Sequence, residues 1–387
     1  PKEAERGLDP DSDLFSPGYF QTFLTGDGSV ALNARVGEEK TPDTEIIMPS
    51  IKDRASFNFE KNKVLAPMDV LEKAMDHYTV NRGALHTVIA GYPWFLDWGR
   101  DALIFVRGLI AAGKTDEARD IIELFGQYET DGTIPNMIQG ENARNRDTSD
   151  APLWYCVACD DFLNVEGSDA FLDMQCGNRT IRQTLFSIGH AYMTGTSNGI
   201  RMDPESGLIF SPSHFTWMDT NFPAGTPREG YPIEIQALWY ATLSFLARID
   251  PAGDNGDWER KAIQVQSSIL ELYLLKDGAY LADCLHADPG MPARQAEPDD
   301  ALRPNQLLAV TLGAVSDVDV CRKIVAACEE LLIPGAIRSL ADRPVRRPLI
   351  IEHHGNTIND PGYPYQGEYT GDEDTMRKPA YHNGTAW

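Results

Sequence analysis

Segments with the apolar spacing of an amphipathic helix recur along this chain from Pro67 onward. Short turns and long polar loops, rich in Gly, Pro, Asn and Trp, separate them alternately. Long loops are uncommon in compact domains unless they carry function. The pattern therefore predicts a large, mainly helical domain with functional residues on its long loops. The predicted helices cover residues 67–78, a segment ending at 112, 115–128, 151–163, 178–195, 233–249, 256–274, 303–313 and 316–332.

Residues 1–62 have a different pattern. A polar stretch is followed by YFQTFL and SVALNARV, which alternate in polarity around the turn sequence GDG. This spacing predicts two β-strands, and a lone hairpin is marginally stable in water. We therefore predict that residues 1–62 form an N-terminal arm and the remnant of a β-rich domain. Residues 63–387 would then form the helical domain.

Composition limits the classes of partner. The chain has 387 residues, 42% of them hydrophobic, which excludes a disordered chain and provides for a sizeable core. Its formal net charge of −24 argues against nucleic acid and against an anionic membrane surface. A neutral polyol would not be repelled. No apolar run reaches the ~20 residues that span a bilayer.

The cysteines and histidines give no metal or redox signature. Cys156 and Cys159 form a C-x-x-C pair inside a continuous helical pattern, without a second pair, so we predict buried core residues. His353 and His354 are adjacent and would point apart on a regular element. We predict no metal site and no cofactor, since a Gly-rich phosphate loop is also missing from the sequence. Sparse cysteines and no visible signal peptide favour the cytoplasm.

The stretch Gly91–Arg107, GYPWFLDWGRDALIFVR, combines aromatic and charged residues just before an apolar helical pattern. An indole ring can cover the apolar face of a sugar, and carboxylate and guanidinium groups can hydrogen-bond its hydroxyls. A well-capped helix with a structural Arg–Asp pair would have the same sequence. The candidates for binding a neutral polyol are Trp94, Asp97, Trp98, Arg100 and Asp101.

A second loop, residues 215–230, places Trp217 two residues before Asp219. An aromatic wall removes water from a carboxyl group and raises its pKa. A raised pKa is what a general acid needs near neutral pH. The alternative for Asp219 is a helix-capping role in an ordered loop.

Other polar and aromatic candidates stand at predicted helix starts. Glu234 opens a helix, where the dipole also favours a carboxylate for purely structural reasons. Asp150 is predicted to cap the helix that begins near Ala151, with Pro152 in its first turn. The further candidates for substrate binding are Asp150, Trp154, Arg228, Glu234 and Asn305. Glu234 could instead support Asp219, and Asp150 would be partly structural.

Six blocks of this sequence resemble glycogen-debranching enzymes, specifically their amylo-α-1,6-glucosidase domain. They stand in the expected order over about three hundred residues, which is far more specific than any one block. The blocks are GYPWFLDWGRD (91–101), DTSDAPLW (147–154), FTWMD (215–219), TPREGYPIEIQALWY (226–240), RPNQLLA (303–309) and AYHNGTAW (380–387).

The resemblance implies an (α/α)6 toroid with its active site at the loop end and an α-glucan as substrate. It also implies that Asp219 is the general acid and that His382 lies near the sugar. Hydrolysis needs a second carboxylate, which in this family is a Glu after the AYHNGTAW block. We therefore expect the general base and the closing helices to follow Trp387, in a longer natural protein.

The leading hypothesis is an inverting hydrolase of α-1,6-linked glucose branch stubs in glycogen-like glucans. One alternative is another toroid glycosidase of the trehalase, invertase or oligosaccharide-processing type. The other is a catalytically inactive, glucan-binding homologue. A carboxylate opposite Asp219 would distinguish an enzyme from a binding module.

Overall fold

The computed structural model describes residues 67–91, 95–220, 226–275, 278–368, 370–371 and 378–386. Contacts divide the chain into two units, Pro1–Val70 and Leu71–Trp387. The two strands predicted within residues 1–62 lie outside the described residues, and the boundary predicted after residue 62 stays a prediction.

Helices account for most of the regular structure, which confirms the mainly helical class. Their ends agree with the apolar spacing to within a few residues. The α-helices are α1 (Pro67–Asp76), α2 (Gly99–Ala111), α3 (Thr115–Gln127), α4 (Ala151–Glu166), α5 (Ile181–Thr194), α6 (Ile233–Ile249), α7 (Trp258–Leu272), α8 (Leu307–Thr311), α9 (Val318–Cys328) and α10 (Lys378–Tyr381). The 3-10 turns are Asp169–Asp173, Ala293–Gln295, Pro304–Gln306 and Glu329–Leu331.

Short strands in the connecting loops form small antiparallel sheets. The strands are β1 (Thr79–Arg82), β2 (Leu85–Val88), β3 (Asp97–Trp98), β4 (Met137–Ile138), β5 (Gln175–Cys176), β6 (Arg179–Thr180), β7 (Arg201–Met202), β8 (Ile209–Phe210), β9 (Gly230–Pro232), β10 (Cys284–His286), β11 (Glu297–Pro298), β12 (Leu332–Ile333), β13 (Ala336–Ile337), β14 (Glu352–His353) and β15 (Asn356–Thr357). Strands β9, β10 and β11 form a three-stranded sheet in which Cys284 lies opposite Pro232. Each of the other sheets joins two consecutive strands. In the pair of β3 with β4, the helices α2 and α3 lie between the two strands along the chain.

Alternate helices form the inner row of the domain. Helix α2 packs on α4, α4 on α6, and α6 on α8. Helix α3 lies against α2 and α4, α5 against α4 and α6, and α7 against α6. This is the packing order of helical hairpins placed side by side. Closure of such hairpins into a six-hairpin ring stays a prediction.

Burial follows this division into inner and outer helices. In α4 every residue from Ala151 to Cys159 is buried, because neighbours cover that part of the helix on all sides. In α3 the buried residues recur on one face, from Ala118 through Ile121 and Ile122 to Phe125. A helix that buries one stripe lies at the surface of its domain. The core consequently follows the inner row.

Cys156 and Cys159 are fully buried in this core, as predicted, and burial raises the pKa of both thiols. A raised pKa keeps a thiol protonated and unreactive. The rings of His353 and His354 do not point apart, since their centroids are 4.0 Å apart and only His353 lies on a regular element. His354 has a φ of 49° in the turn between β14 and β15. The regular alternation of side chains therefore ends there.

Within the described ranges, no helix is both long and apolar enough to cross a membrane.

Gly99 and Gly108 offer a matched test of the packing at the start of α2. A Cβ at position 99 would lie 2.5 Å from the carbonyl oxygen of Pro135, whereas one at exposed position 108 would meet only Met75 Cε, at 3.4 Å. We expect Gly99→Ala to lower the free energy of unfolding by about 1–3 kcal/mol through overpacking. Gly108→Ala should raise it by up to about 1 kcal/mol through helix propensity. Urea unfolding of both variants checks this, and equal effects would contradict it.

Candidate active site

The N-terminal ends of the inner helices come together at one place. Arg100, in the first turn of α2, lies beside Asp150, which immediately precedes α4. Glu234 in the first turn of α6 connects through buried side chains to Asn305, in the 3-10 turn before α8. Backbone N–H groups and the helix dipole favour negative charge at these ends. The inner row thus explains why carboxylates gather here.

Arg100 contacts carboxylates from three segments of the chain. Its Nη2 lies 3.3 Å from Asp219 Oδ2, its Nη1 3.5 Å from Asp150 Oδ2, and its Nε 3.6 Å from Asp101 Oδ2. Nη1 also donates to the carbonyl oxygen of Thr216, at 3.3 Å. The aromatic–charged block near residue 100 and the loop that carries Asp219 are therefore in direct contact.

Charge around Arg100 is unbalanced, with three carboxyl groups beside one guanidinium. Burial raises the pKa of Asp219 to about 6, against the opposing effect of Arg100, and Asp150 adds to the rise. Burial also raises the pKa of Asp101. Burial alone would lower the pKa of Arg100, but Asp150, Asp219 and Asp101 outweigh it and the net shift is upward. The cluster holds a fixed positive charge and a carboxyl group that carries a proton in weakly acidic solution.

Solvent reaches part of this cluster. The Asp219 side chain is 21% exposed and that of Asp101 is 42% exposed, whereas Asp150 is 2% exposed. Two partly exposed tryptophans flank the acidic groups in sequence, Trp98 and Trp217. The guanidinium carbon of Arg100 lies 6.0 Å from the centre of the Trp98 ring, at the limit of a cation–π contact. Asp219 and Asp101 are the carboxyl groups accessible to a ligand.

Trp217 is held from two sides. Its indole Nε1 donates to Asn305 Oδ1 at 2.8 Å. Its ring makes an edge-on contact with His382, with centroids 5.6 Å apart. Burial, with help from Arg303 and other cations, lowers the pKa of His382 well below its ordinary value, so this imidazole is neutral near pH 7. The RPNQ and AYHNGTAW blocks therefore meet at the wall that Trp217 provides.

Beneath this wall lies a buried ion cluster, which we define as Arg228, Glu234, Asp283 and Arg303. Arg228 forms a bidentate ion pair with Glu234, and its Nε donates to Asp283 Oδ2 at 2.7 Å. Arg303 Nε lies 3.5 Å from the same oxygen. All four side chains are at most 2% exposed, and their charges balance. Arg228 has a φ of 45°, a strained conformation for a non-glycine residue that the cluster holds in place.

Several predicted sugar-binding residues are buried, unlike the partly exposed Asp219 and Asp101. Both oxygens of Asp97 accept hydrogen bonds from Arg82, and Asp97 is 1% exposed. Trp154 is 6% exposed, with the guanidinium of Arg107 lying 5.8 Å from its ring centre. Arg228 and Glu234, in the buried ion cluster, are likewise turned toward protein groups. In this arrangement these residues support the site, and Trp94 lies outside the described residues.

The predicted cap of α4 needs a correction. Asp150 occupies the cap position but makes no capping hydrogen bond there. The hydroxyl of Thr148 instead accepts from the backbone N–H of Ala151 at 3.3 Å and donates to Asp150 Oδ1 at 2.6 Å. Thr148 caps the helix, and the carboxylate of Asp150 is left to face Arg100.

Comparison with known proteins now gives this site a context. A family model described as Amylo-alpha-1,6-glucosidase matches residues 73–387. The chain belongs to that family. The glycogen debranching enzyme of Saccharomyces cerevisiae is 24% identical over 78% of this chain. The match covers 24% of the yeast protein, so the chain spans about a quarter of the length of this curated relative.

Solved structures show lower similarity. A GH78 family rhamnosidase of Bacillus sp. GL1 has a TM-score of 0.44 at 16% identity, over 59% of this chain and 22% of its own. A rhamnosidase from Klebsiella oxytoca with rhamnose bound gives 0.41 at 12% identity, over 62% and 42%. An uncharacterized conserved protein from Thermus thermophilus gives 0.45 at 12% identity, over 69% and 77%.

Two site residues of this amylo-α-1,6-glucosidase family member escaped the sequence-based prediction. Asp283 stands in the apolar run YLADCLH, and a carboxylate buried among apolar residues needs a partner. That signal could have identified it. Arg303 was recognised only as part of the RPNQ block, and nothing in its spacing indicates that it joins Asp283 to the His382 backbone. Among the residues described, no group of three or more His, Cys, Asp or Glu could hold a metal ion.

The raised pKa of Asp219 predicts a pH-dependent change in stability. A carboxyl group with a folded pKa of about 6, above its ordinary 3.8, favours the folded state fully below that ordinary value. The contribution is lost as pH rises through about 6. We therefore expect the unfolding free energy of Asp219→Asn, measured relative to that of the wild type, to be about 2 kcal/mol higher at pH 8 than at pH 4.

Urea unfolding at both pH values measures this gain. Asp288→Asn, which removes one negative charge from an exposed position, is the matched control and should show a much smaller change. A pH-independent difference between Asp219→Asn and the wild type would contradict a raised pKa.

Proposed function

We propose that this chain is the glycosidase domain of a debranching-type enzyme and hydrolyses α-1,6-linked glucose stubs on glycogen-like glucans. Family membership supports glycoside hydrolysis, and the name of the yeast relative favours glycogen as the polymer. The observation that carries the proposal is Asp219, which is partly exposed, has a pKa of about 6 and lies 3.3 Å from Arg100. Such a carboxyl group can hold the proton that a glycosidic oxygen needs.

The proposed reaction is a single displacement at the anomeric carbon. Asp219 donates its proton to the glycosidic oxygen as the C–O bond breaks, which releases the glucan as an alcohol. A water molecule attacks the opposite face, and a second carboxylate accepts its proton. Asp219 then regains a proton from solvent.

The residues around Asp219 have distinct proposed roles. Arg100 and Asp101 donate and accept hydrogen bonds to the hydroxyls of the terminal glucose, and Trp98 and Trp217 cover its apolar faces. Excess negative charge around Arg100 favours a transition state in which positive charge develops on the sugar ring. His382 shapes the wall behind Trp217. Asp97, Asp150, Trp154, Arg228, Glu234 and Asn305 support this arrangement from below.

We further propose that the inner helices α2, α4, α6 and α8 belong to an (α/α)6 ring. The order of their packing and the meeting of their N-terminal ends support this. A location in the cytoplasm fits the free cysteines, all of which are unpaired among the described residues. A neutral glucan is compatible with the formal net charge of −24.

Removal of the acid should abolish turnover but not binding. We expect Asp219→Asn to lower kcat on a branched limit dextrin by about 10²–10⁴-fold, the range for general acid catalysis. The wild-type kcat/KM should fall above about pH 6 as Asp219 loses its proton. Isothermal titration calorimetry with isomaltose should give similar affinities for both proteins, and Asp288→Asn should behave like the wild type. Unchanged turnover by Asp219→Asn would remove this assignment.

The stereochemistry of the first product tests the single displacement. Inversion at an α-1,6 linkage releases β-glucose, whereas a covalent intermediate would give α-glucose. Proton NMR of the anomeric signals during the first minutes of hydrolysis should therefore show the β anomer first. An α anomer would refute inversion. Activity on sucrose or trehalose, without activity on branched dextrins, would favour another type of glycosidase.

A further inference from the structure

A chain of hydrogen bonds connects the buried ion cluster to the indole ring of Trp217. Arg228 donates to Asp283 Oδ2, and Asp283 Oδ1 accepts from Asn305 Nδ2 at 2.8 Å. Asn305 Oδ1 in turn accepts from Trp217 Nε1, also at 2.8 Å. The amide of Asn305 therefore has its oxygen toward an N–H donor and its nitrogen toward a carboxylate, which fixes its orientation.

Asn305 is poorly placed to touch a sugar. It is 6% exposed, and both polar atoms of its side chain are already bonded within the protein. Its hydrogen bonds instead orient a ring that reaches the surface. This differs from the role that the sequence suggested for Asn305.

The same ion cluster also holds the residue that contacts the ring, His382. Arg303, paired with Asp283, donates through Nη1 to the carbonyl oxygen of His382 at 2.6 Å, and through Nη2 to Asn383 Oδ1 at 2.7 Å. The imidazole of His382 makes the edge-on contact with Trp217. One carboxylate, Asp283, thus contacts both groups that lead to the indole.

Trp217 stands in a loop and not on a regular element. Residues 211–220 contain neither helix nor strand apart from an isolated bridge at Ser211, and backbone hydrogen bonds from the N–H of Ser149 to Phe215 O and from the N–H of His214 to Pro227 O hold the loop. In a loop of this kind, side-chain hydrogen bonds decide which rotamer is populated. Asp219, two residues later, shares the loop.

We propose that Asp283 and Asn305 are positioning residues that fix the indole of Trp217 as the wall of the cleft beside Asp219. This rests on the proposed function only for its catalytic consequence. Asn305 acts through the Trp217 N–H, and Asp283 acts through Asn305 and Arg303. Loss of either link lets the indole turn away from the orientation in which it covers a sugar and shields the acid.

The first experiment observes the indole directly and needs no activity. Protein labelled with 5-fluorotryptophan gives one fluorine resonance for each tryptophan, and Trp217→Phe identifies that of Trp217. We expect Asn305→Leu and Asp283→Asn to shift or broaden this resonance. Gln306→Leu is the matched control, since Gln306 is equally buried in the same turn but bonds Leu281 and Arg303 instead. An unmoved Trp217 resonance in Asn305→Leu would overturn the proposal.

A measurement on the wild type tests the hydrogen bond between Trp217 and Asn305 even if these variants do not fold. The indole N–H of Trp217, assigned in a ¹⁵N spectrum by its loss in Trp217→Phe, should exchange with solvent much more slowly than a free indole. Exchange at the rate of free tryptophan would show that the hydrogen bond to Asn305 is not formed, and would overturn the proposal.

The second experiment tests the catalytic consequence by a double-mutant cycle on a branched dextrin. We expect Asn305→Leu to lower kcat/KM about tenfold, the loss typical of one or two good hydrogen bonds. In a Trp217→Phe background, which lacks the N–H donor, the same substitution should have little further effect. Losses that simply multiply would indicate a general structural defect and overturn the positioning role.

The two experiments separate this inference from the proposed function. If the wild type hydrolyses no branched glucan, the proposed function fails, while the fluorine spectra still decide whether Asn305 orients Trp217. If the enzyme is active and Asn305→Leu retains wild-type kcat/KM, the proposed function stands and the positioning role is overturned.

Discussion

The buried ion cluster of Arg228, Glu234, Asp283 and Arg303 is the interaction on which the candidate site depends. It joins the loop before β9, the start of α6, the residue before β10 and the turn before α8. Four buried charges are tolerated because they pair and balance, and removal of one partner from such a cluster typically costs about 3–5 kcal/mol. The cluster consequently favours one relative arrangement of these segments, including the strained backbone of Arg228.

The Arg100 cluster above it is built on the opposite electrostatic principle. Its single guanidinium faces three carboxyl groups, and burial raises the pKa of Asp219 to about 6, so this carboxyl group carries a proton in weakly acidic solution. The buried ion cluster is enclosed by protein, whereas solvent reaches Asp219 and Asp101 in the Arg100 cluster. The structure thus combines a buried cluster of balanced charge with a partly exposed cluster of unbalanced charge.

The sequence was sufficient for the helices and for the segments that meet at the site, but not for the depth of each side chain. Apolar spacing gave the starts of α4 and α6, and the order of the blocks indicated that Arg100 and Asp219 belong together although 119 positions separate them. Asp97 and Asp101 cannot be distinguished by the sequence around them. In the structure, Asp97 accepts a hydrogen bond from Arg82 and is buried, whereas Asp101 is 42% exposed. The burial of such a side chain depends on which residues from other parts of the chain pack against it. Neither the residue type nor the local spacing contains that information.

Among the carboxyl groups around Arg100, the exposed fraction of the side chain also decides which one suits the proposed role of general acid. Asp150 is 2% exposed and bonded to Thr148, so a glycosidic oxygen would have no approach to it. Asp101 is 42% exposed, in the first turn of α2, where a carboxylate suits sugar hydroxyls. Asp219 lies between these limits at 21%, buried enough for a pKa of about 6 and open enough to reach a substrate. Because Asp219 shares its loop with Trp217, and Trp217 is bonded through Asn305 to Asp283, the proposed acid and its proposed support are connected along one short segment of the chain.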